Sequence, residues 1–542
     1  MHSGGNVKNL LDRIEKLNEI GIRLSTEKDT ARLLETILLG AKDLTNADGG
    51  TLYSVTADNA LKFEIMRTES LGFAMGGTNG IEIPFAPIPM YDDQGQPNLK
   101  MVATYAAIKD EIVNIPDAYK ASGFDFSGTR IFDQKTGFRS KSFLTVPLKN
   151  QEDVIIGVLQ LLNAIDAESG EVVSFSDEDQ RLVASLASQA AVALTKERLI
   201  QDLKKLFEAL IQMLATAIDE KSPTTGQHCR RVPILTMMLA DAVSASTEGH
   251  LASFVLDEKK RYELEVAAWL HDCGKITTPE YVVGKATKLE TIYDRIEAVD
   301  TRFEVIKRDA EIAWLRDQLR QHGVIEKIDE GALKEIFAEL DKERDFLRRC
   351  NTGGEFMPPD QQQRVSTLAE SMRWRGPDGT TQPLLDADEI NNLIISRGTL
   401  TDAERDVINN HVVASIKILE SLPFPQDMQH VPEYAGGHHE QLDGNGYPAH
   451  LVEEQIPLQA RIIAVADVFE ALTAKDRPYK KGKTLSETLR IMAFMTKDRH
   501  FDADIFAVFV KERIYLDYAR KYMNDEQIDA VDHDMILKLF TG

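Results

Sequence analysis

Thiols are scarce in this chain: 542 residues hold three cysteines, Cys229, Cys273 and Cys350. None of them forms a CxxC pair, so neither a disulfide framework nor a zinc ribbon is indicated, and a reducing intracellular setting is expected. Long apolar runs are lacking as well. No stretch reaches the roughly 18 residues of a membrane span. The opening segment, MHSGGNVKNLLDRIEKLNEIGIRL, has spaced charges in place of a signal-peptide core, so a cytoplasmic protein is expected. Positive charge is the third shortage: 63 Lys and Arg stand against 87 Asp and Glu, a net charge of −24. That balance argues against nucleic-acid polymers and anionic membranes as partners, and any anion this protein handles must be gripped locally. What is present is ordinary globular usage, 43% hydrophobic and 28% charged residues, which excludes wholesale disorder and collagen-like repeats. The length suggests roughly three or four domain-sized units of about 150 residues each.

Residues 1–24 read as a helix carrying Leu10, Ile14, Leu17, Gly21 and Leu24 at steps of four and three. Such a seam suits pairing with another helix or packing on its own domain. A mixed region follows, with strands expected over 49–56, 61–66, 142–148 and 154–162 and a helix over 102–113, which makes an α+β unit. From Ser176, with Asp179 three residues on as a cap, a helical pattern runs to 219. In its second half Leu199, Leu203, Leu206, Leu210, Met213 and Ala217 repeat about every 3.5 residues. A helix this long needs a partner along its length, either a second copy in a homodimer or its own preceding domain.

The chemistry-bearing residues lie beyond 220. His271-Asp272 ends an apolar helix over 262–270, and Gly274 is well placed as its stop. Thr401 and Glu404 mark the start of a helix whose apolar residues Val407, Ile408, Ala414 and Ile418 share a face with His411. On a helix over 459–473, Asp467 shares a face with Ile463, Ala464 and Ala471. An ionised carboxylate there is costly unless a cation or several donors meet it. Alone, either residue reads as a satisfied core group; together they point to ligands. Between these helices lie the adjacent pair His438-His439 and the turn Asp443-Gly444-Asn445-Gly446-Tyr447-Pro448, and His228 opens another helix upstream. Imidazole and carboxylate donors without thiolate favour iron or manganese over structural zinc.

Three segments carry a first resemblance: 114–119 (NIPDAY), 132–142 (FDQKTGFRSKS) and 157–163 (GVLQLLN). Residues 25–175 thereby resemble a GAF domain, a small-molecule sensor module. Ala164 follows Asn163 where cyclic-nucleotide-binding members have lysine, so the ligand stays open, as does a purely dimerising role.

The second resemblance rests on His271-Asp272 with Lys275, on 438–440 (HHE) through 446–448 (GYP), on 467–473 (DVFEALT) and on 477–479 (RPY). Residues 220–542 are similar to an HD-GYP domain, an all-helical member of the HD hydrolase superfamily. The resemblance implies hydrolysis of cyclic di-GMP to pGpG and/or GMP at a binuclear centre of iron or manganese. It implies His228, His271, Asp272, His411, His438, His439 and Asp467 as ligands, with Asp272 bridging. Trinuclear members carry glutamate where this chain has Thr224. Two ions roughly 3.5–4 Å apart in such a site activate water and offset phosphate charge. Lys275 would act beside Asp272 on the departing ribose oxygen, or else be a solvated helix-end lysine. Arg477 and Lys480 would hold the second phosphate. Tyr447, with Gly444 and Gly446, would shape the nucleotide cleft, or Tyr447 would simply build the turn.

This chain departs from compact HD-GYP domains in an insertion over about 287–398, with helices expected over 289–320 and 332–349 and loops over 351–360 and 376–382. It reads as a lid, a dimer extension or a dispensable decoration. The expected whole is multidomain: an α+β GAF sensor, a connecting helix over 176–219 and an all-α HD-GYP domain with a helical insertion. Rival readings are a catalytically weak cyclic-dinucleotide receptor and a hydrolase of another cyclic dinucleotide such as cyclic GMP-AMP.

Overall fold

The structure, a computed structural model, describes residues 3–221, 227–247, 249–322, 331–354, 356–474 and 482–541. The chain forms two compact units, residues 1–207 and 208–542.

The first unit opens with helices α1 (Ser3–Thr26) and α2 (Thr30–Thr45), the latter capped by the Asp29 carboxylate accepting from Arg32 N–H. The strands are β1 (Ala47–Val55), β2 (Ala60–Thr68), β3 (Phe73–Gly76), β4 (Ile88–Pro89), β5 (Val113–Ile115), β6 (Phe143–Lys149), β7 (Ile155–Ile165) and β8 (Val172–Val173). Helices α3 (Val102–Lys109) and α4 (Ser127–Thr136) interrupt them, and α5 (Asp177–Lys221) follows. The sheet is antiparallel in the order β3-β2-β1-β7-β6-β5, with β4 on β2 and β8 on β7. Successive residues of β1 serve opposite faces. Leu52 joins the core made with α1, α2 and α5, whereas Tyr53 packs with Leu61, Met90 and Ala103.

Two local expectations need correction, and two open ones are narrowed. The helix expected over 102–113 stops at Lys109, because Asp110 adopts a left-handed cap (φ 54°) and 113–115 then pairs with β6. The short strands β3, β4, β5 and β8 were not expected, being too brief to show periodicity. In α1 the second half packs on its own domain through Leu17, Ile20 and Leu24, while Leu10 and Ile14 are exposed. In α5 the first turns join the sheet core through Leu182, Val183, Leu186 and Ala190, but Leu199, Leu203, Leu206, Leu210 and Met213 are exposed.

The second unit is helical: α6 (His228–Ala245), α7 (Glu258–Leu270), α8 (Glu280–Val283), α9 (Ile296–His322), α10 (Gly331–Asn351) and α11 (Pro359–Ser371), then strands β9 (Arg373–Arg375) and β10 (Thr381–Pro383). There follow α12 (Ala387–Leu393), α13 (Asp402–Glu420), α14 (Val431–Gly436), α15 (Leu458–Thr473), α16 (Leu485–Lys497), α17 (Ala503–Lys511), α18 (Ile514–Tyr522) and α19 (His533–Thr541). The segment 289–393, which holds α9 to α12, has its own core of Leu289, Val299, Phe303, Leu347, Val365 and Leu393. The loop expected over 376–382 is shortened to 376–380, because 381 and 382 pair with β9 in the β9–β10 hairpin. Helix α15 is buried nearly all round, and Phe469 stacks edge-on against Phe509 and Tyr518. Truncating such a phenylalanine typically costs about 3–5 kcal/mol.

Candidate metal centre

Each candidate ligand is placed by a local cause. His271 and Asp272 leave the end of α7 and enter a 3₁₀ turn over Cys273–Thr277. Gly274 does not act as the expected helix stop. A Cβ there would lie 2.0 Å from His411 O and 2.4 Å from Ser415 N, so glycine is required for the turn to seat on the α13 backbone, and Gly274 N–H donates to Ser415 Oγ at 2.8 Å. The expected Thr401–Glu404 capping box starts α13. Its buried face differs from the expected one: His411, Val412, Ser415 and Leu419 point inward, and Val407 is exposed. The small Ser415 at the close approach to Gly274 sets that orientation.

Asp467 comes from α15, His438 and His439 follow α14, and His228 opens α6. The Nδ1–H groups of His271, His411 and His438 donate to the carbonyls three residues back, Ala268 O at 2.8 Å, Ile408 O at 2.5 Å and Ala435 O at 2.5 Å. That fixes the tautomer and turns each Nε2 lone pair away from the backbone. The Nε2 atoms of His271, His411 and His438 and the Oδ1 of Asp272 are buried without a hydrogen-bond partner. Buried polar atoms are seldom left so, and these four together fit a metal-ligating donor set.

The donors gather as two groups, His228 with His271 and Asp272, and His411 with His438 and His439, each with ligand atoms within 4.8 Å of one another. Asp272 faces both. Its Oδ2 lies 3.4 Å from His228 Nε2 and 3.3 Å from His271 Nε2, and its Oδ1 lies 3.1 Å from His411 Nε2. Asp467 Oδ1 is 3.1 Å from His228 Nε2 and 3.7 Å from His271 Nε2. Lys275 Nζ donates to Asp272 Oδ2 at 2.5 Å.

The two groups differ electrically. Burial penalises a charged His228 and His271, but nearby carboxylates outweigh it, holding His228 well above its usual range and His271 up to about 9. His438 is held well below its usual range by burial and the imidazoles His439 and His271, and burial pushes His439 down to about 4. Burial opposes ionised Asp272 and Asp467, yet Lys275 and the histidines hold Asp272 far below the usual range, and His228 and His271 do so for Asp467. Lys275 is pushed up, since Asp272 and Asp467 outweigh its burial. A divalent cation in this donor set would offset the charge of the carboxylates and would take the imidazoles in their neutral form.

Two supporting carboxylates escaped the sequence reading. Glu470 Oε2 accepts from His228 Nδ1 at 2.5 Å and Glu470 Oε1 from Arg231 at 3.2 Å. Its signal was present, a second acid three residues after Asp467 on the same apolar helix. Glu440, buried, accepts from Ala449 N–H at 2.7 Å and Leu451 N–H at 2.8 Å, tying the loop back to the histidine pair. In that loop Tyr447 stacks on His439 with ring centres 4.8 Å apart, and Tyr447–Pro448 is cis. Gly444 has φ 81°, and the space of a Gly446 side chain is filled by backbone of Glu440 and Gln441, at 2.2–2.5 Å. Thr224, Arg477 and Lys480 lie outside the described residues.

The helical unit brings two groups of histidine and aspartate donors together beside Asp272, and this defines the class: a helical domain whose buried donors could hold metal. The particular modules follow from comparison with known families. Residues 29–194 match the GAF domain and residues 387–505 the HD domain, so the chain carries a GAF domain followed by an HD domain. The HD match contains His411, His438, His439 and Asp467, while His228, His271 and Asp272 precede it across the α9–α12 segment.

Among curated relatives, a cyclic di-GMP phosphodiesterase of Pseudomonas aeruginosa is 43% identical over 114 residues, 21% of this chain and 26% of that protein. A 3'3'-cGAMP-specific phosphodiesterase of Vibrio cholerae is 41% identical over 114 residues, again 21% and 26%. A cyclic di-GMP phosphodiesterase of Thermotoga maritima is 32% identical over 148 residues, 27% and 39%. The chain thus spans about a quarter to two fifths of the length of these relatives. No described helix is long and apolar enough to cross a membrane.

Proposed function

We propose that this chain is a metal-dependent phosphodiesterase of the HD-GYP kind that linearises cyclic di-GMP to pGpG and onward to GMP, under control of its GAF domain. The observation that carries this reading is the convergence of buried, unpartnered His271, His411 and His438 Nε2 and Asp272 Oδ1. His228, His271 and Asp467 would hold one iron or manganese ion, His411, His438 and His439 the second, with Asp272 shared. When bound, such ions supply an activated water and offset the charge of the phosphodiester.

The protein's own groups do the rest. Carbonyl-anchored Nδ1–H bonds orient the rings of His271, His411 and His438 and leave each Nε2 free to face the centre. Lys275, held protonated by Asp272, donates a proton to the departing ribose oxygen as the P–O bond breaks. Tyr447, with the tight Gly444–Gly446 turn, walls the nucleotide cleft, and Arg477 and Lys480 grip the second phosphate. These cations and ions reverse locally the sign of a chain that is acidic overall. Exposed Leu199, Leu203, Leu206, Leu210 and Met213 on α5 support a homodimer, and three free, buried cysteines support a cytoplasmic setting.

The near-equal identities to cyclic di-GMP and 3'3'-cGAMP enzymes favour one second reading, the mixed dinucleotide as substrate. The test is turnover of both dinucleotides by full-length protein loaded anaerobically with Fe(II) or Mn(II), with products separated by chromatography. Formation of pGpG with the higher kcat/KM for cyclic di-GMP supports the proposal, and the reverse preference selects the mixed dinucleotide. Binding without turnover of either leaves a receptor and overturns the hydrolase.

A further inference from the structure

Helix α5 begins in the core of the sheet unit through Leu182, Val183 and Leu186, and runs unbroken for 45 residues. Its last two turns end on the candidate metal centre. Asp219, 8% exposed, accepts from Gln227 N–H at 3.1 Å and from Cys229 N–H at 3.5 Å, one residue to either side of His228. Gln227 is left-handed (φ 77°), a conformation that residues other than glycine and asparagine avoid unless their surroundings impose it. Arg230 Nη2 donates to Thr216 Oγ1 at 2.9 Å, and Lys221 Nζ donates to the Ile276 carbonyl, the residue after Lys275. The end of α5 is therefore bonded on both sides of His228 and to the turn that presents Asp272 and Lys275.

The Asp219 carboxylate accepts from the backbone N–H groups of Gln227 and Cys229 and also meets the Cys229 thiol, and burial raises its pKa despite those donors. A buried acid of this kind is retained at a cost in solvation. Its effect is to hold an otherwise unfavourable Gln227 backbone in place, and Gln227 in turn sets where His228 stands against Asp272 and Asp467.

We propose that Asp219 is a positioning residue: it pins His228 to the last turn of α5, so that the axial rotation or shift of this one helix sets the affinity of the ion shared by His228, His271 and Asp467. The proposal rests on the metal-centre reading above. It adds a defined element through which the GAF unit acts, and it selects metal affinity as the quantity regulated.

The test uses full-length protein and Mn(II) alone as probe, with binding followed by calorimetry. Wild type should bind two ions. In Asp219→Ala, one of the two sites should weaken about ten-fold, within the range for groups that orient a ligand. The kcat at saturating Mn(II) should be largely retained, a split that a general folding defect would not produce. Asp219→Asn, which keeps the shape and one acceptor oxygen, should fall between, and it decides the matter where the alanine variant does not fold. In a second arm, two alanines inserted between Lys204 and Lys205 rotate everything beyond them by about 200° about the α5 axis. That insertion should change Mn(II) affinity several-fold in the wild-type background and have little effect in Asp219→Ala.

Unchanged affinity in both Asp219 variants, or the same insertion effect in both backgrounds, overturns the proposal while leaving the metal centre standing. Absence of Mn(II) binding by wild type defeats the metal-centre reading itself, and this proposal with it.

Discussion

Gly274→Ala is the sharpest structural perturbation available at this site. The added Cβ would stand 2.0 Å from His411 O, where ordinary contact begins near 3.4 Å, and both partners are backbone, so no side chain can swing clear. The turn and α13 must separate by about 1.4 Å. Asp272 Oδ1 and His411 Nε2, now 3.1 Å apart, would then stand up to about 4.5 Å apart. Two ligand atoms that each lie about 2.1 Å from one ion cannot be more than about 4.2 Å apart, so the pair could no longer share an ion. Losing a ligand exceeds the about 10–100-fold that lost orientation alone costs in metal affinity. Stability should fall as well, by about 1–3 kcal/mol for overpacking plus about 1 kcal/mol for the bond from Gly274 N–H to Ser415 Oγ. Manganese titration with denaturant unfolding reads both quantities. Ser415→Gly added to Gly274→Ala should not restore binding, because His411 O remains in the way. Wild-type manganese affinity in Gly274→Ala, or full rescue by Ser415→Gly, would refute the reasoning.

Three further outcomes are expected. Chelation should lower the melting temperature and Mn(II) restore it, a gain in stability of about 2.7 kcal/mol per site at a hundred times the dissociation constant; an unchanged melt argues against a folded-state metal site. Glu440→Ala removes a buried acceptor of two backbone N–H bonds and should raise KM for the dinucleotide while metal content holds; loss of metal instead would make Glu440 part of the centre. The Glu404 carboxylate is opposed by burial but held below its usual 4.5 by Lys285, 2.8 Å away. Its stabilising contribution is present above that pH and lost as pH falls through the lower folded value, so acid should loosen the α13 start, and hydrogen exchange in Glu404→Gln should lack that acid dependence.

Much of the site was legible because its donors are chemically costly where they stand. Asp467 inside an apolar helix and paired histidines beside a glycine turn need an explanation at sequence level, and the structure brings them together within one centre. The long helix and the principal strands were legible from periodicity. The orientation of α13 was not, because apolar spacing favoured Val407, whereas the helix turns its small Ser415 inward to meet Gly274. For the same reason Gly274 read as a helix stop: local sequence cannot distinguish a glycine needed for its own backbone from one needed by a helix 140 residues on. Glu470 left a local signal, a second acid three residues after Asp467, but nothing near it in sequence names His228 as its partner. Asp219 was missed because apolar spacing along α5 says nothing of the backbone N–H groups eight and ten residues on that it meets.

The central claim is that buried histidines and Asp272 hold ions that hydrolyse a cyclic dinucleotide. The most direct measurement counts metal and turnover in one preparation, comparing wild type with Asp272→Ala after anaerobic loading with Fe(II) or Mn(II) and addition of cyclic di-GMP. The account predicts about two ions per chain and formation of pGpG in the wild type, with both lost in the variant. Equal turnover in the two proteins, or turnover by protein stripped of metal, would contradict it.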